Sequence, residues 1–200
     1  MKHLMLYFSL IIATILLYLP GTQAKGVYIN TDQQQKLIFG FENPGEFEYW
    51  RIVNDGVMGG LSKSKFIFNK NNTAVFKGTV SLENNGGFSS IRTFAGSYEL
   101  DGYDGILLRV KGDGKKYQFR LRTNDRFDGI SYRYQFETEV KNWIIIQIPF
   151  NDCEPVFRGR ILENVEPIIP EKIQQIGFLI SNKKAEQFQL EIDWIKGYKK

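Results

Sequence analysis

Between Tyr117 and Glu137 apolar and polar side chains alternate one for one. Tyr117, Phe119, Leu121 and Thr123 fall on one side, and Gln118, Arg120 and Arg122 on the other. A few residues later Tyr132, Tyr134 and Phe136 oppose Arg133, Gln135 and Glu137. A period of two sends successive side chains to opposite faces of an extended chain, so such a stretch buries one face as a half-covered antiparallel strand. No window of twelve or more residues carries a helical period, and Pro167 and Pro170 leave room for one short turn of helix near Glu171–Gln175. The other apolar runs are strand-sized: Lys36–Phe41, Phe47–Val53, Lys65–Phe68, Thr73–Leu82, Gly87–Phe94, Gly105–Lys111, Trp143–Phe150, Ile173–Ser181 and Gln187–Lys196. Thr73–Leu82 places Ala74, Phe76, Gly78, Val80 and Leu82 on one face. The last run places Phe188, Leu190, Ile192 and Trp194 together. Turn sequences separate the runs, among them Asn54-Asp55-Gly56, Asn84-Asn85-Gly86-Gly87, Gly112-Asp113-Gly114 and Asp128-Gly129. Strands of this number and spacing predict an all-β fold, a two-sheet antiparallel β-sandwich.

The N-terminus reads differently. Lys2 and His3 precede an apolar run from Leu4 to Leu19, Pro20-Gly21 ends it, and Thr22-Gln23-Ala24 supplies small residues for a cut after Ala24. A charged start, an apolar middle and a small exit predict a cleaved signal peptide over 1–24 and a periplasmic or secreted domain. The run is slightly short for a spanning helix, so no stable membrane span is expected after cleavage. It contains no Arg, unlike an amphipathic mitochondrial presequence. Residues 25–35 read as a polar leader and 36–200 as a single domain. The only His of the chain, His3, lies in the expected signal peptide. The rest therefore cannot run a Ser-His-Asp or Cys-His relay or hold a His-ligated zinc. One Cys, Cys153, excludes an internal disulfide, and it is expected to be unpaired and inert. The chain has 26 Lys+Arg and 22 Asp+Glu; residues 1–24 hold one Lys and no acid, so their removal leaves a net charge of +3. That mild balance gives no electrostatic case for nucleic acid. Asp101 and Asp104 could join a structural Ca²⁺ site, but no EF-hand spacing supports one, and no cofactor is expected.

Three segments are more specific. Trp50 to Ser62 reads W-R-I-V-N-D-G-V-M-G-G-L-S. Phe76 to Arg92 holds F-K-G-T-V and then N-G-G-F-S-S-I-R. Tyr103 to Tyr117 holds a Y-D-G strand and G-D-G-K-K-Y. Together with Trp143, Pro149-Phe150, Arg158-Gly159-Arg160 and the Ile173–Phe178 string, these resemble the 30 kDa complex I intermediate-associated protein family over about residues 37–198. The resemblance implies a jelly-roll, galactose-binding-domain-like sandwich. It also implies a non-enzymatic assembly-factor or chaperone-like role of the kind for which the family's mitochondrial protein is named. It supplies no catalytic residues.

The residues themselves leave two readings open at each candidate site. Asn54, Asp55 and Ser62 either close a hairpin corner or line a shallow polar site beside Trp50 and Met58. As a turn closer Asp55 is expected to be worth about 0.5–2 kcal/mol. Asn85 and Phe88 flank Gly86-Gly87, which suits a tight turn or the close approach of a ligand. Arg92 is either ion-paired on a strand or a fork for a carboxylate or phosphate. Arg120, Arg122 and Arg133 project from one face if their strands form a hairpin. They make either a solvated face or a platform for an acidic protein partner or a glycan. The alternative to the assembly factor is an extracytoplasmic carbohydrate-binding module. A sugar binder should show two or more exposed rings along a groove, an assembly factor a broad apolar or mixed patch.

Overall fold

The computed structural model describes residues 34–200, so the expectations for residues 1–24 and for most of the polar leader lie outside the described residues. The strands are β1 (Gln35–Phe39), β2 (Trp50–Ile52), β3 (Lys63–Asn69), β4 (Thr73–Val80), β5 (Ser89–Thr93), β6 (Gly105–Lys111) and β7 (Lys116–Arg122). They continue with β8 (Ser131–Glu137), β9 (Trp143–Pro149), β10 (Glu154–Phe157), β11 (Arg160–Ile161), β12 (Gln175–Ile180) and β13 (Glu186–Tyr198). They form two antiparallel sheets. One runs β3-β4-β13-β6-β9, with β1 also paired to β13; the other runs β11-β10-β8-β7-β12-β5-β2. The fold is the all-β sandwich expected from the alternation. Its core lies between the sheets, with Phe76, Leu108 and Leu190 from the first facing Phe119, Phe178 and Ile91 from the second. Each such side chain contributes about 1.5–3 kcal/mol by leaving water. Among the described residues no helix is long and apolar enough to cross a membrane.

The structure departs from the sequence reading in five places. Phe47–Val53 does not begin as a strand. Asn43 accepts a hydrogen bond from the Gly45 amide at 2.9 Å, and Pro44 opens a 3-10 turn over Pro44–Tyr49, so only Trp50–Ile52 is extended. Trp194 does not share a face with Ile192. The register of β13 against β6 shifts between Ile192 and Trp194, a bulge at Asp193, so Ile195 turns inward and is fully buried in place of Trp194. Leu82 lies beyond the end of β4 and is exposed. β10 and β11 were not expected, because Pro155 interrupts the run; here it sits in a short strand near the sheet edge, where its missing N–H is tolerated. Gln35, placed in the polar leader from the sequence, opens β1 opposite Tyr198.

Candidate functional site

The loop after β2 and the turn before β5 are fastened together by one carboxylate. Asp55 is fully buried. It accepts hydrogen bonds from the Ser62 hydroxyl at 2.5 Å, the Ser62 amide at 3.0 Å, the Gly87 amide at 2.7 Å and the Phe88 amide at 3.2 Å. Burial alone would push its carboxyl up. The Ser62 hydroxyl and the three amides outweigh that and hold it below the usual carboxylate range. The glycines around it are there for room: a Cβ on Gly60 would lie 2.4 Å from the Asp55 carboxyl carbon, and one on Gly86 2.6 Å from its Oδ2. Asn54 accepts from the Ser64 hydroxyl at 2.9 Å and the Ser90 amide at 3.2 Å. Ser62 Oγ also accepts from the Ser81 amide at 2.9 Å. These three polar residues are spent on holding the corner. Trp50 is no part of a polar site either. Its ring is buried between Phe39 at 5.1 Å and Phe66 at 5.2 Å, because on β2 it alternates with Arg51 and faces the core. Asn85 is exposed, in the left-handed region at φ 59°.

What the corner leaves outside is apolar. Val57 and Met58 are 59% and 61% exposed and line one side of a groove of about 780 Å³ across the outer face of the seven-stranded sheet. Phe88, Arg92, Arg120, Arg122 and Arg133 line it too. The register explains the gathering. Arg51 pairs with Arg92, Arg92 with Gly177, Gly177 with Arg120, Arg120 with Arg133 and Arg133 with Glu154, one row across six strands. In the next row Arg122 pairs with Gln175. Gly177 puts no side chain in the middle of the row and lets β5 pack close: a Cβ there would meet the Ile91 carbonyl oxygen at 2.6 Å and the Arg92 Cβ at 3.0 Å. A net charge of +3 for the expected mature chain thus conceals a local concentration of arginine that no single strand reveals.

These arginines are not equivalent. Arg133 pairs with Glu154 at 2.9 Å and Arg158 with Asp128 at 2.6 Å. Arg120 directs Nε and Nη2 onto the Gln118 amide oxygen at 3.1 and 2.8 Å, and Arg122 Nη1 donates to the Gly129 carbonyl at 2.8 Å. Arg92 is 7% exposed, and its guanidinium lies 4.6 Å from the centroid of the Phe127 ring, yet its Nε and Nη2 have no hydrogen-bond acceptor among the described residues. The Arg51 Nε and both amide atoms of the buried Gln175 are likewise unpartnered. Burial, then the neighbouring Arg122 and Arg51, lower the Arg92 guanidinium to about 10, with Asp128 opposing; burial, Arg122 and Arg133 lower Arg120 to about 10. Both stay charged at neutral pH. The sequence reading missed Arg51 and Gln175. The alternation of Trp50-Arg51-Ile52 could have placed Arg51 outward, but nothing local marks Gln175.

Cys153 is free and half-buried, with burial, then Asp152, pushing its thiol up to about 12. Asp104 Oδ2 accepts from the Lys200 amide at 2.7 Å. Among the described residues no three His, Cys, Asp or Glu side chains stand close enough to hold a metal.

In solved structures the same architecture occurs in a family 11 carbohydrate-binding module from Clostridium thermocellum in complex with a β-1,3-1,4-mixed-linked tetrasaccharide. It is 18% identical, at a TM-score of 0.61, over 82% of this chain and 94% of that one. That likeness is one of fold. The complex I intermediate-associated protein 30, mitochondrial, of Mus musculus is 27% identical over 90% of this chain, and that of Drosophila melanogaster 25% over 80%. The matches span 61% of each of these relatives, about three fifths of their length. Their names overturn the periplasmic or secreted location expected from the leader. An apolar N-terminal run reports hydrophobicity and not the compartment it addresses, and the relatives are mitochondrial by name. The model of the complex I intermediate-associated protein 30 family matches residues 39–192, from the last residue of β1 into β13, so it takes in both the Asp55 corner and the arginine row, and the chain belongs to that family.

Proposed function

We propose that this chain is a non-enzymatic assembly factor, a mitochondrial module that holds a protein partner across the outer face of its seven-stranded sheet. One observation carries the reading: Val57 and Met58 stand exposed, on a corner that Asp55 fixes, beside a groove floored with arginines. An exposed apolar rim on a rigid support is what a protein-binding surface needs, and methionine adapts to the surface it meets. A sugar-binding groove would instead carry free rings. Phe127 is exposed, but Arg92 at 4.6 Å and Arg51 at 5.6 Å already stack on it, and Phe94 lies against Arg51 at 5.0 Å. The test is native electrophoresis of mitochondrial membranes from cells expressing the tagged chain. The wild type should co-migrate with complex I subunits, and a Val57→Asp/Met58→Asp variant should not. Co-migration of both would remove the rim from the docking surface. Binding of mixed-linked β-glucan by the wild type, in the absence of co-migration, would favour the carbohydrate-binding reading.

A further inference from the structure

The groove that this reading assigns to a protein partner has a specific chemistry at its floor. We propose that Arg92, with Arg51, Arg122 and Gln175 around it, is a seat for a carboxylate of an acidic peptide segment that lies extended across the sheet. The inference rests on the docking reading above and names the ligand chemistry of the same surface.

Nε–H and Nη2–H are the two parallel donors on one edge of a guanidinium, the edge that meets both oxygens of a carboxylate. The chain uses this edge elsewhere. Arg158 presents Nε and Nη2 to Asp128 at 3.2 and 2.6 Å, and Arg120 presents them to the Gln118 oxygen. At Arg92 the same two atoms are buried, and neither has a hydrogen-bond partner among the described residues. The Phe127 ring lies 4.6 Å from the guanidinium carbon, a cation–π contact that holds the group in place without supplying an acceptor in the plane of its N–H bonds. Gln175, opposite Arg122, adds an unpartnered amide that offers one more donor.

The second observation is charge. Arg51, Arg92, Arg120 and Arg122 have no carboxylate partner among the described residues, while the two nearby acids, Asp128 and Glu154, are taken by Arg158 and Arg133. A buried charge without a counterion is costly, so a site that keeps one is complementary to an anion. The third is length. From β2 to β8 the row crosses four strand spacings, about 19 Å at ~4.8 Å each, which about six residues of extended peptide would span. At the centre of that path Gly177 carries no side chain. A peptide suits the apolar rim at Val57 and Met58. A single-stranded nucleic acid would need several free rings on which to stack its bases, and an acidic glycan would need free rings for its sugar faces.

The experiment is fluorescence anisotropy with labelled poly-L-glutamate. Unlabelled poly-L-glutamate, polygalacturonate, poly-uridylate and inorganic phosphate serve as competitors. Poly-L-glutamate should compete best, and binding should weaken about tenfold or more in Arg92→Gln, the loss of one strong charged contact. Arg92→Lys should recover only part of it, since a point charge lacks the fork. A Lys63→Gln/Lys65→Gln/Lys77→Gln variant, altered on the other sheet, should bind within about twofold of wild type, which separates a site from net charge. If Arg92→Gln fails to fold, Arg51→Gln carries the test. Equal binding by wild type and both arginine variants would overturn the seat. So would stronger competition by polygalacturonate, which would make it a glycan site, or by phosphate or poly-uridylate, which would make it a phosphate site. The docking reading fails separately, by co-migration of the Val57→Asp/Met58→Asp variant with complex I subunits.

Discussion

Asp55 and Arg92 lie toward opposite ends of the short ladder between β2 and β5. Both are charged and buried, but their surroundings differ completely. Asp55 has four donors pointed at it and two glycines cleared to make room. Arg92 has the Phe127 ring against its guanidinium, other arginines around it and no acceptor for Nε and Nη2 among the described residues. A buried charge whose partners come from its own chain is part of the fold. One whose partners are missing from its own chain is oriented toward something else. The contrast bears on the two readings that the sequence left open at each residue: the aspartate closes the corner, and the arginine is the one we propose for a ligand.

The largest expected effect is on the satisfied side. Asp55→Ala strands the Ser62, Gly87 and Phe88 amides, and unsatisfied buried donors cost about 1–3 kcal/mol each. Water entering the space relieves part of this, so a net loss of about 3 kcal/mol is expected, above the range for a simple turn closer. In a domain of this size that lowers the melting temperature by roughly 6–12 °C, measurable by circular dichroism. A shift under about 2 °C would remove the contrast.

Acid should act on the same carboxylate. Its folded value lies below its ordinary 3.8, so its stabilisation is complete above that value and is lost as pH falls through the folded one. Urea midpoints of wild type and Asp55→Asn should therefore converge on acidification below about pH 4. A constant gap would assign the stabilisation to shape and not to charge.

Arg92→Met tests the unsatisfied side, with the opposite sign. It removes an unanswered buried charge and keeps a long side chain under Phe127. A gain of about 1 kcal/mol, some 2–4 °C, is expected, together with loss of poly-L-glutamate binding. Destabilisation by more than about 1 kcal/mol would mean that the guanidinium supports the fold as Asp55 does. The smallest effect belongs to the rim. Met58→Asp should move stability by no more than about 0.5 kcal/mol, as exposed substitutions do, while co-migration with complex I subunits falls. A larger change in its melting curve would show that the methionine packs into the corner.

The strands were legible because their alternation is a local property. Tyr117 to Glu137 gave the half-buried hairpin, and the hairpin put Arg120, Arg122 and Arg133 on one face. The bulge at Asp193 was not legible, because one extra residue leaves no mark on the pattern until Ile195 is found facing the core. The seat was legible in pieces only. Arg51, Arg92, Arg122 and Gln175 come from β2, β5, β7 and β12, and each reads alone as an outward polar residue. What joins them is the register between strands far apart in sequence, which is fixed by packing and not by spacing. Trp50 misled because it adjoins a polar loop, although its alternation with Arg51 already sent it the other way.

The order in which the strands leave the ribosome has its own consequence. β12 lies between β7 and β5, and β13 between β4 and β6, so the central strands of both sheets come from residues 175–198. The pairs β2–β5, β3–β4, β6–β9, β7–β8, β8–β10 and β10–β11 need neither strand, but they stay separate until β12 joins β7 to β5 and β13 joins β4 to β6. Closure of each sheet is therefore late, since the loops between these pairs are repaid only when residues 175–198 arrive. Until then β4, β5, β6 and β7 each keep an unpaired edge, the kind of edge that pairs with other chains.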